Sequence, residues 1–149
     1  MALEDGMSLN GLVNQVLSKY VSFERAIAHE SVVVPSQLFA EMAKAFPEEQ
    51  AKSVGSKLGP KLRQDFAFHH INQDSEALLN SHFEQMGAFS GWYRLEASRS
   101  ESHIRVAVMH EFGLTWSKFL IKYYQSAIQA VTGAEPQIEQ EGDILVITF

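Results

Sequence analysis

Six histidines and eighteen carboxylates, with no cysteine, set the side-chain chemistry open to this chain. Without a thiol there is no disulfide, no thiolate metal site and no cysteine nucleophile. A catalytic or metal centre would have to be built from His, Asp, Glu and Ser. His69-His70 is the densest pair. Adjacent residues point about 100° apart on a helix, or to opposite faces of a strand, whereas metal ligands recur three or four positions apart. His110-Glu111 lacks the second histidine of such a set, because Leu114 stands in its place. A metal-dependent enzyme using His69, His70 or His110 is therefore one reading of this chain, with no metal ligand assigned by spacing and no cofactor indicated. Serine, histidine and acid residues are present for a triad, but no Gly-x-Ser-x-Gly elbow is. Gly55-Ser56-Lys57-Leu58-Gly59-Pro60-Lys61 has the wrong spacing for a phosphate loop, and no Ser or Thr follows its lysine; it reads as a helix end and a turn. No catalytic residue is assigned, and enzyme is the least supported class.

His110 has a different claim. It falls on the apolar face of a strand, either as a core histidine bonded to a neighbour or as a polar anchor in a ligand cavity between sheet and helix. In the second case Trp92, Tyr93, Trp116 and Tyr123 are the walls; in the first, these aromatics are core.

The elements that must position these residues follow from periodicity. In His103–Phe112, Ile104, Val106, Val108, His110 and Phe112 share one face, the period of a half-buried strand. Gly113 ends it. From Leu114 to Thr132 the period is helical: Trp116, Phe119, Leu120, Tyr123, Ala127, Ile128 and Val131 form one stripe, opposite Lys118, Lys122, Gln125, Ser126 and Gln129. Gly133 takes the left-handed C-cap, with Pro136 beyond. Trp92–Arg99 pairs with the 103–112 strand through Ser100-Glu101-Ser102, and Ile138–Phe149 reads as a hairpin about Glu141-Gly142-Asp143. Ser31–Pro35 reads as a short strand. Ser36 caps a helix with Leu38, Phe39, Met42 and Phe46 inward, Pro47 opens another, Lys61–His70 is a short helix, and Asp74 or Ser75 caps one that buries Leu78, Leu79, Phe83, Met86 and Phe89. The expected fold is α+β: an N-terminal amphipathic helix, a helical middle, and an antiparallel sheet packed by the long 114–132 helix.

The N-terminal helix opens at Gly6-Met7-Ser8-Leu9-Asn10, with Ser8 as N-cap. Leu9, Leu12, Val13, Val16, Leu17 and Tyr20 repeat at helical spacing, the stripe running on towards Ile27. That stripe needs a partner, and a second copy of the chain is the expected one, making a homodimer.

Residues 6–21, opening with Gly6-Met7-Ser8-Leu9-Asn10-Gly11-Leu12-Val13-Asn14-Gln15-Val16-Leu17, resemble the turn and second helix of ribbon-helix-helix DNA-binding proteins. In that family a strand from each of two subunits forms a ribbon that enters the major groove, and the start of the second helix grips a phosphate. The resemblance implies that Ser8 is the cap and that Asn10 lies by the phosphate. The family's ribbon strand and first helix lie upstream, and only five residues precede Gly6 here. Either this start is truncated, or the motif serves as a dimerisation or packing helix.

Charge and composition bound the rest. Residues 1–30 carry a net −2, residues 31–72 a net +1 and residues 73–149 a net −5, within a total of −6. No block is basic enough for independent DNA affinity. No apolar run reaches the roughly 20 residues of a membrane span, and a cytoplasmic protein is expected. Two segments are predicted: 1–29, the ribbon-helix-helix-like dimerisation helix, and 30–149, an α/β domain that binds a small molecule or a partner. The function expected is a transcriptional-regulator-like homodimer with a C-terminal sensing domain. The alternative is a small-molecule-binding or interaction domain without DNA binding.

Overall fold

A computed structural model of the chain describes residues 8–21 and 34–149. The chain divides into two units, Met1–Val33 and Val34–Phe149. In the first, α1 spans Leu9–Lys19. Ser8 is its N-cap, its Oγ accepting from the Gly11 amide at 3.1 Å. A cap of this kind stabilises a helix by about 1 kcal/mol. The expected continuation to Ile27 runs outside the described residues beyond Val21, as does the expected boundary between residues 29 and 30.

The second unit is α+β. Its helices are α2 (Ser36–Ala45), α3 (Glu48–Leu58), α4 (Lys61–Phe68), α5 (Ser75–Leu78), α6 (Glu84–Phe89) and α7 (Leu114–Thr132), with a π-helical turn over Leu79–Phe83 joining α5 to α6. The strands are β1 (Arg94–Arg99), β2 (Ile104–Met109), β3 (Gln137–Glu141) and β4 (Ile144–Thr148). They form one antiparallel sheet in the order β1-β2-β4-β3. The β2–β4 register sets Val106 opposite Ile147 and Val108 opposite Leu145. All four side chains are fully buried, and the long helix α7 packs over this face.

The period-two and helical stripes that predict β2 and α7 coincide with what is buried. Ile104, Val106, Val108, His110 and Phe112 are all buried, and so is every residue of the 116–131 stripe. Gly133 takes the left-handed C-cap at φ 77°, and Gly142 turns the β3–β4 hairpin at φ 58°. Trp92 and Tyr93 precede β1 rather than starting it, and His110 and Phe112 lie just past β2.

Some local expectations shift. Ser36 is the first residue of α2 rather than its cap; Pro35 and Pro47 hold the N-cap positions of α2 and α3 with no side-chain bond. Asp74, not Ser75, caps α5, accepting from the Ala77 amide at 2.7 Å. Residues 31–33 of the expected early strand lie outside the described residues, and Val34 and Pro35 belong to no strand. On α2, Phe39 and Ala43 turn inward, while Leu38, Met42 and Phe46, expected inward, are about half exposed. Helix α3 crosses α7 at close range, and α2 lies beside that crossing. Among the described residues no helix is long and apolar enough to cross a membrane.

Candidate functional site

The residues expected to line a cavity between sheet and helix fill that space with one another. Trp92 stands edge-on to Trp116 at 5.3 Å and to Tyr123 at 6.0 Å. Trp116 stacks on Phe119 at 4.5 Å, and Phe119 on Tyr123 at 5.7 Å. Large planar side chains at helical spacing on α7 stack with near-parallel rings along the helix and meet Trp92 edge-on, and offset stacking and edge-to-face contact are the preferred aromatic geometries. Tyr93 and His110 belong to two separate polar networks.

His110 accepts from the Phe112 amide through Nδ1 at 3.3 Å. Its Nε2 therefore carries the proton and donates to Ser117 Oγ at 3.0 Å. Ser117 Oγ donates in turn to the Gly142 carbonyl at 3.4 Å. This chain ties the end of β2, the start of α7 and the β3–β4 turn together. Burial holds His110 below its ordinary pKa, against the opposing pull of Asp143. A neutral imidazole with both nitrogens engaged inside the protein acts as a structural link, so His110 is the core histidine and not an anchor open to a ligand.

The second network was not singled out in the sequence. His82, in the π-helical turn, is buried against Phe83, Tyr123 and Tyr124, and its Nε2 shares a hydrogen bond with the Tyr123 hydroxyl at 3.4 Å. Tyr93 donates to the Phe83 carbonyl at 3.4 Å, so the Tyr124 hydroxyl donates to Tyr93 in the short bond between the two phenols. Burial raises the pKa of Tyr93, Tyr123 and Tyr124 and lowers that of His82 to about 4. The signal available in the sequence was spacing: His82 sits between Leu78, Leu79 and Phe83 on one apolar side.

His82 makes stability pH-dependent with a defined sign. An unfolded chain takes up this proton near 6.5, the folded one only near 4. Between those values the unfolded state binds more protons, so stability falls as pH drops from 6.5 towards 4 and levels off below. His82→Gln offers an amide in place of the ring and cannot titrate. Between pH 7 and 4.5 the wild type is expected to lose about 2–3 kcal/mol more than this variant, read from urea midpoints. Equal losses would mean that His82 is hydrated in the folded state.

Two concave regions among the described residues bear on a site. One, about 750 Å³, is an open groove where α6 meets the edge strand β1, with Glu84, Arg94, Glu96 and Arg99 on its walls. Arg99 is engaged there, donating to Asn80 at 2.8 Å and to Glu76 and Glu84 at 3.3 Å. The other, about 180 Å³, lies beneath α2, lined by Phe39, Met42, Phe46, Val54, Trp116 and Phe119 among others. Of the expected pocket residues only Trp116 reaches it. Its indole Nε1 is buried and has no hydrogen-bond partner.

His69 and His70 are exposed at the end of α4, His70 in a left-handed conformation at φ 55°. Among the described residues no group of three His, Asp or Glu side chains is placed to hold a metal ion. Asn10 is exposed in the first turn of α1. No protein-family model matches the chain, and no curated protein matches it.

Proposed function

We propose that the chain is a homodimer of the transcription-regulator kind, joined through α1, with the unit of residues 34–149 sensing a ligand. The observation that carries this reading is the uncovered face of α1. No residue of that helix is buried, and Leu9, Val13, Val16, Leu17 and Tyr20 are each 46–70 % exposed. A helix this short is marginal alone in water, and contiguous apolar faces mark association surfaces. A second copy offers the matching stripe in a two-fold contact, with Leu9, Leu12, Val13, Val16, Leu17 and Tyr20 in the seam. The resemblance to ribbon-helix-helix proteins supports the same reading, because Ser8 and Asn10 stand where that family grips a phosphate.

Phosphate contacts position a protein without specifying a sequence, and residues 1–30 set Lys19 and Arg25 against four carboxylates. The 149-residue chain is therefore expected to bind duplex DNA weakly, with no preference among sequences, at about 0.15 M salt. Fluorescence anisotropy with labelled duplexes checks this. Sequence-selective binding at nanomolar concentration would put the DNA-reading surface elsewhere than α1.

A second reading, a small-molecule-binding or interaction unit with no role on DNA, is favoured by the apolar cavity beneath α2. The two readings part on whether a ligand of that cavity alters dimer strength or DNA affinity.

A further inference from the structure

We propose that the open edge of β1, with the groove beside α6, takes an extended peptide segment of a partner protein. The segment joins the four-stranded sheet as a further strand, with an apolar side chain opposite Ala97 and a basic one opposite Glu96. The surface lies wholly within residues 34–149 and stands whether or not the chain dimerises through α1.

The backbone defines the edge. The Ile104 amide donates to the Phe149 carbonyl at 2.8 Å, and the Phe149 amide donates back to the Ile104 carbonyl at 3.0 Å. The His110 amide donates to the Asp143 carbonyl at 3.1 Å. Polar groups of successive residues in an antiparallel ladder face alternate neighbours. The even-numbered residues of β2 therefore turn to β4, and Arg105, Ala107 and Met109 turn to β1, where they meet Ser98, Glu96 and Arg94. The N–H and C=O groups of Leu95, Ala97 and Arg99 are left facing away from β2. Among the described residues no strand lies on that side. A row of unpaired groups is a template for another chain unless it is blunted, and β1 has neither a proline nor a break in its register.

The groove supplies room and a second wall. It measures about 750 Å³ where α6 meets β1. Helix α6 is held close to the strand, since a Cβ on Gly87 would lie 2.9 Å from the Leu95 Cβ. Ala88 and Ala97, both exposed, line the same groove. Directly opposed residues share a face of the sheet, so a side chain opposite Ala97 enters the unfilled space on the α6 side. An apolar one covers both alanines. The other edge of the sheet, β3, has neither concave region along it.

Charge selects the flanking residue. Arg99 is engaged by Glu76, Asn80 and Glu84, and Arg94 by Glu111. Glu96 is exposed, lies on the opposite face from Ala97, and has no ion-pair partner among the described residues. A cation directly opposite it on an added strand is a favourable cross-strand pair. A second copy of β1 is the poorer occupant. Pairing about Ala97 covers the whole edge but sets Ser98 of that copy opposite Glu96; pairing about Leu95 sets Arg94 there but overlaps only residues 94–96. Residues 73–149 carry a net −5, which also draws a basic segment. Addition of a strand to a sheet edge is an established mode of peptide recognition, with main-chain bonds giving affinity and side chains giving specificity.

The probe is the capped peptide Thr-Thr-Val-Lys-Thr, titrated into the whole ¹⁵N-labelled chain. Paired antiparallel, as every pair in this sheet is, its valine lies opposite Ala97 and its lysine opposite Glu96. The amide resonances of Leu95, Ala97 and Arg99 are expected to shift. N-methylation of the valine amide removes the donor aimed at the Ala97 carbonyl and should weaken binding about tenfold or more. N-methylation of the lysine amide, which faces away from the edge, should leave affinity within about twofold. Glutamate in place of the lysine should weaken binding about tenfold, and Glu96→Lys should reverse that preference. Glu96→Gln should abolish it, and serves should the lysine variant not fold. No shift at millimolar peptide, or equal binding of the two N-methylated forms, would overturn strand addition. Equal binding of the lysine and glutamate peptides would overturn the basic requirement. Shifts of the same three amides with protein concentration alone would give the edge to a second copy and overturn the peptide assignment.

Discussion

Gly55→Ala combined with Gly59→Ala is expected to destabilise residues 34–149 by about 4 kcal/mol, since overpacking a tight contact costs about 1–3 kcal/mol per site. A Cβ on Gly55 would lie 2.5 Å from the Phe119 carbonyl oxygen and 2.9 Å from the Tyr123 amide nitrogen. One on Gly59 would lie 2.5 Å from the Tyr123 carbonyl oxygen and would run into the Ser126 hydroxyl. These neighbours are backbone atoms of α7 and a side chain pinned to that backbone by hydrogen bonds to Lys122 and Tyr123. They cannot rotate away, so α3 must back off from α7. The sign is the informative part. Alanine is the better helix former by about 1 kcal/mol, so Gly55→Ala alone should raise the urea midpoint if α3 did not abut α7, and lower it if the crossing is as close as described. The two sites lie one turn apart on one contact, so the loss in the double variant is expected to differ somewhat from the sum of the two single losses.

Trp116→Ala and Phe119→Ala are each expected to cost about 3–5 kcal/mol, as removal of large buried aromatics does. Both side chains are under 10 % exposed and stacked on each other. Trp116 also contacts Phe39, Trp92 and Phe112, so its removal loosens the packing of α2 as well as enlarging the cavity. Lys118→Ala is the control. Read from the sequence Lys118 is a surface residue; in the fold it is half-buried and its Nζ donates to Gln140 Oε1 at 3.0 Å. The loss should still be only about 0.5 kcal/mol, because the bond is partly open to water. Denaturant midpoints that fail to separate the aromatics from the lysine would mean that α7 is rotated about its axis.

What the sequence revealed, and what it hid, divides by the range of the cause. The strand at Ile104–Met109, the helix at Leu114–Thr132 and its glycine C-cap are written in side-chain period and turn chemistry, which act over a few residues. The Ser8 and Asp74 caps are local in the same way. His110 was placed on the right face, yet its role depended on Ser117 and on the Gly142 carbonyl, which come together only when the β3–β4 hairpin folds beside α7. Gly55 shows the same limit. Inside a segment that ends at Gly59-Pro60 it reads as part of a turn, whereas its reason is the backbone of a helix more than sixty residues away. The aromatic residues of α7 were found, but whether they enclose a cavity or fill one is decided by Trp92 and by the inward side of α2. The cavity beneath α2 that Trp116 does line also takes in two small residues, Ala43 and Ala51, that carry no signal of their own.

The measurement that bears most directly on the proposed function is sedimentation equilibrium of the whole chain beside the double variant Leu12→Asp, Val16→Asp. Two carboxylates per subunit in an apolar seam oppose association by several kcal/mol, and neither residue belongs to the unit of residues 34–149. The wild type should sediment as a dimer at micromolar concentration and the variant as a monomer, with the near-ultraviolet signal of the Trp116 cluster preserved in both. A wild-type chain that stays monomeric at high concentration would contradict dimerisation through α1, and with it the regulator reading.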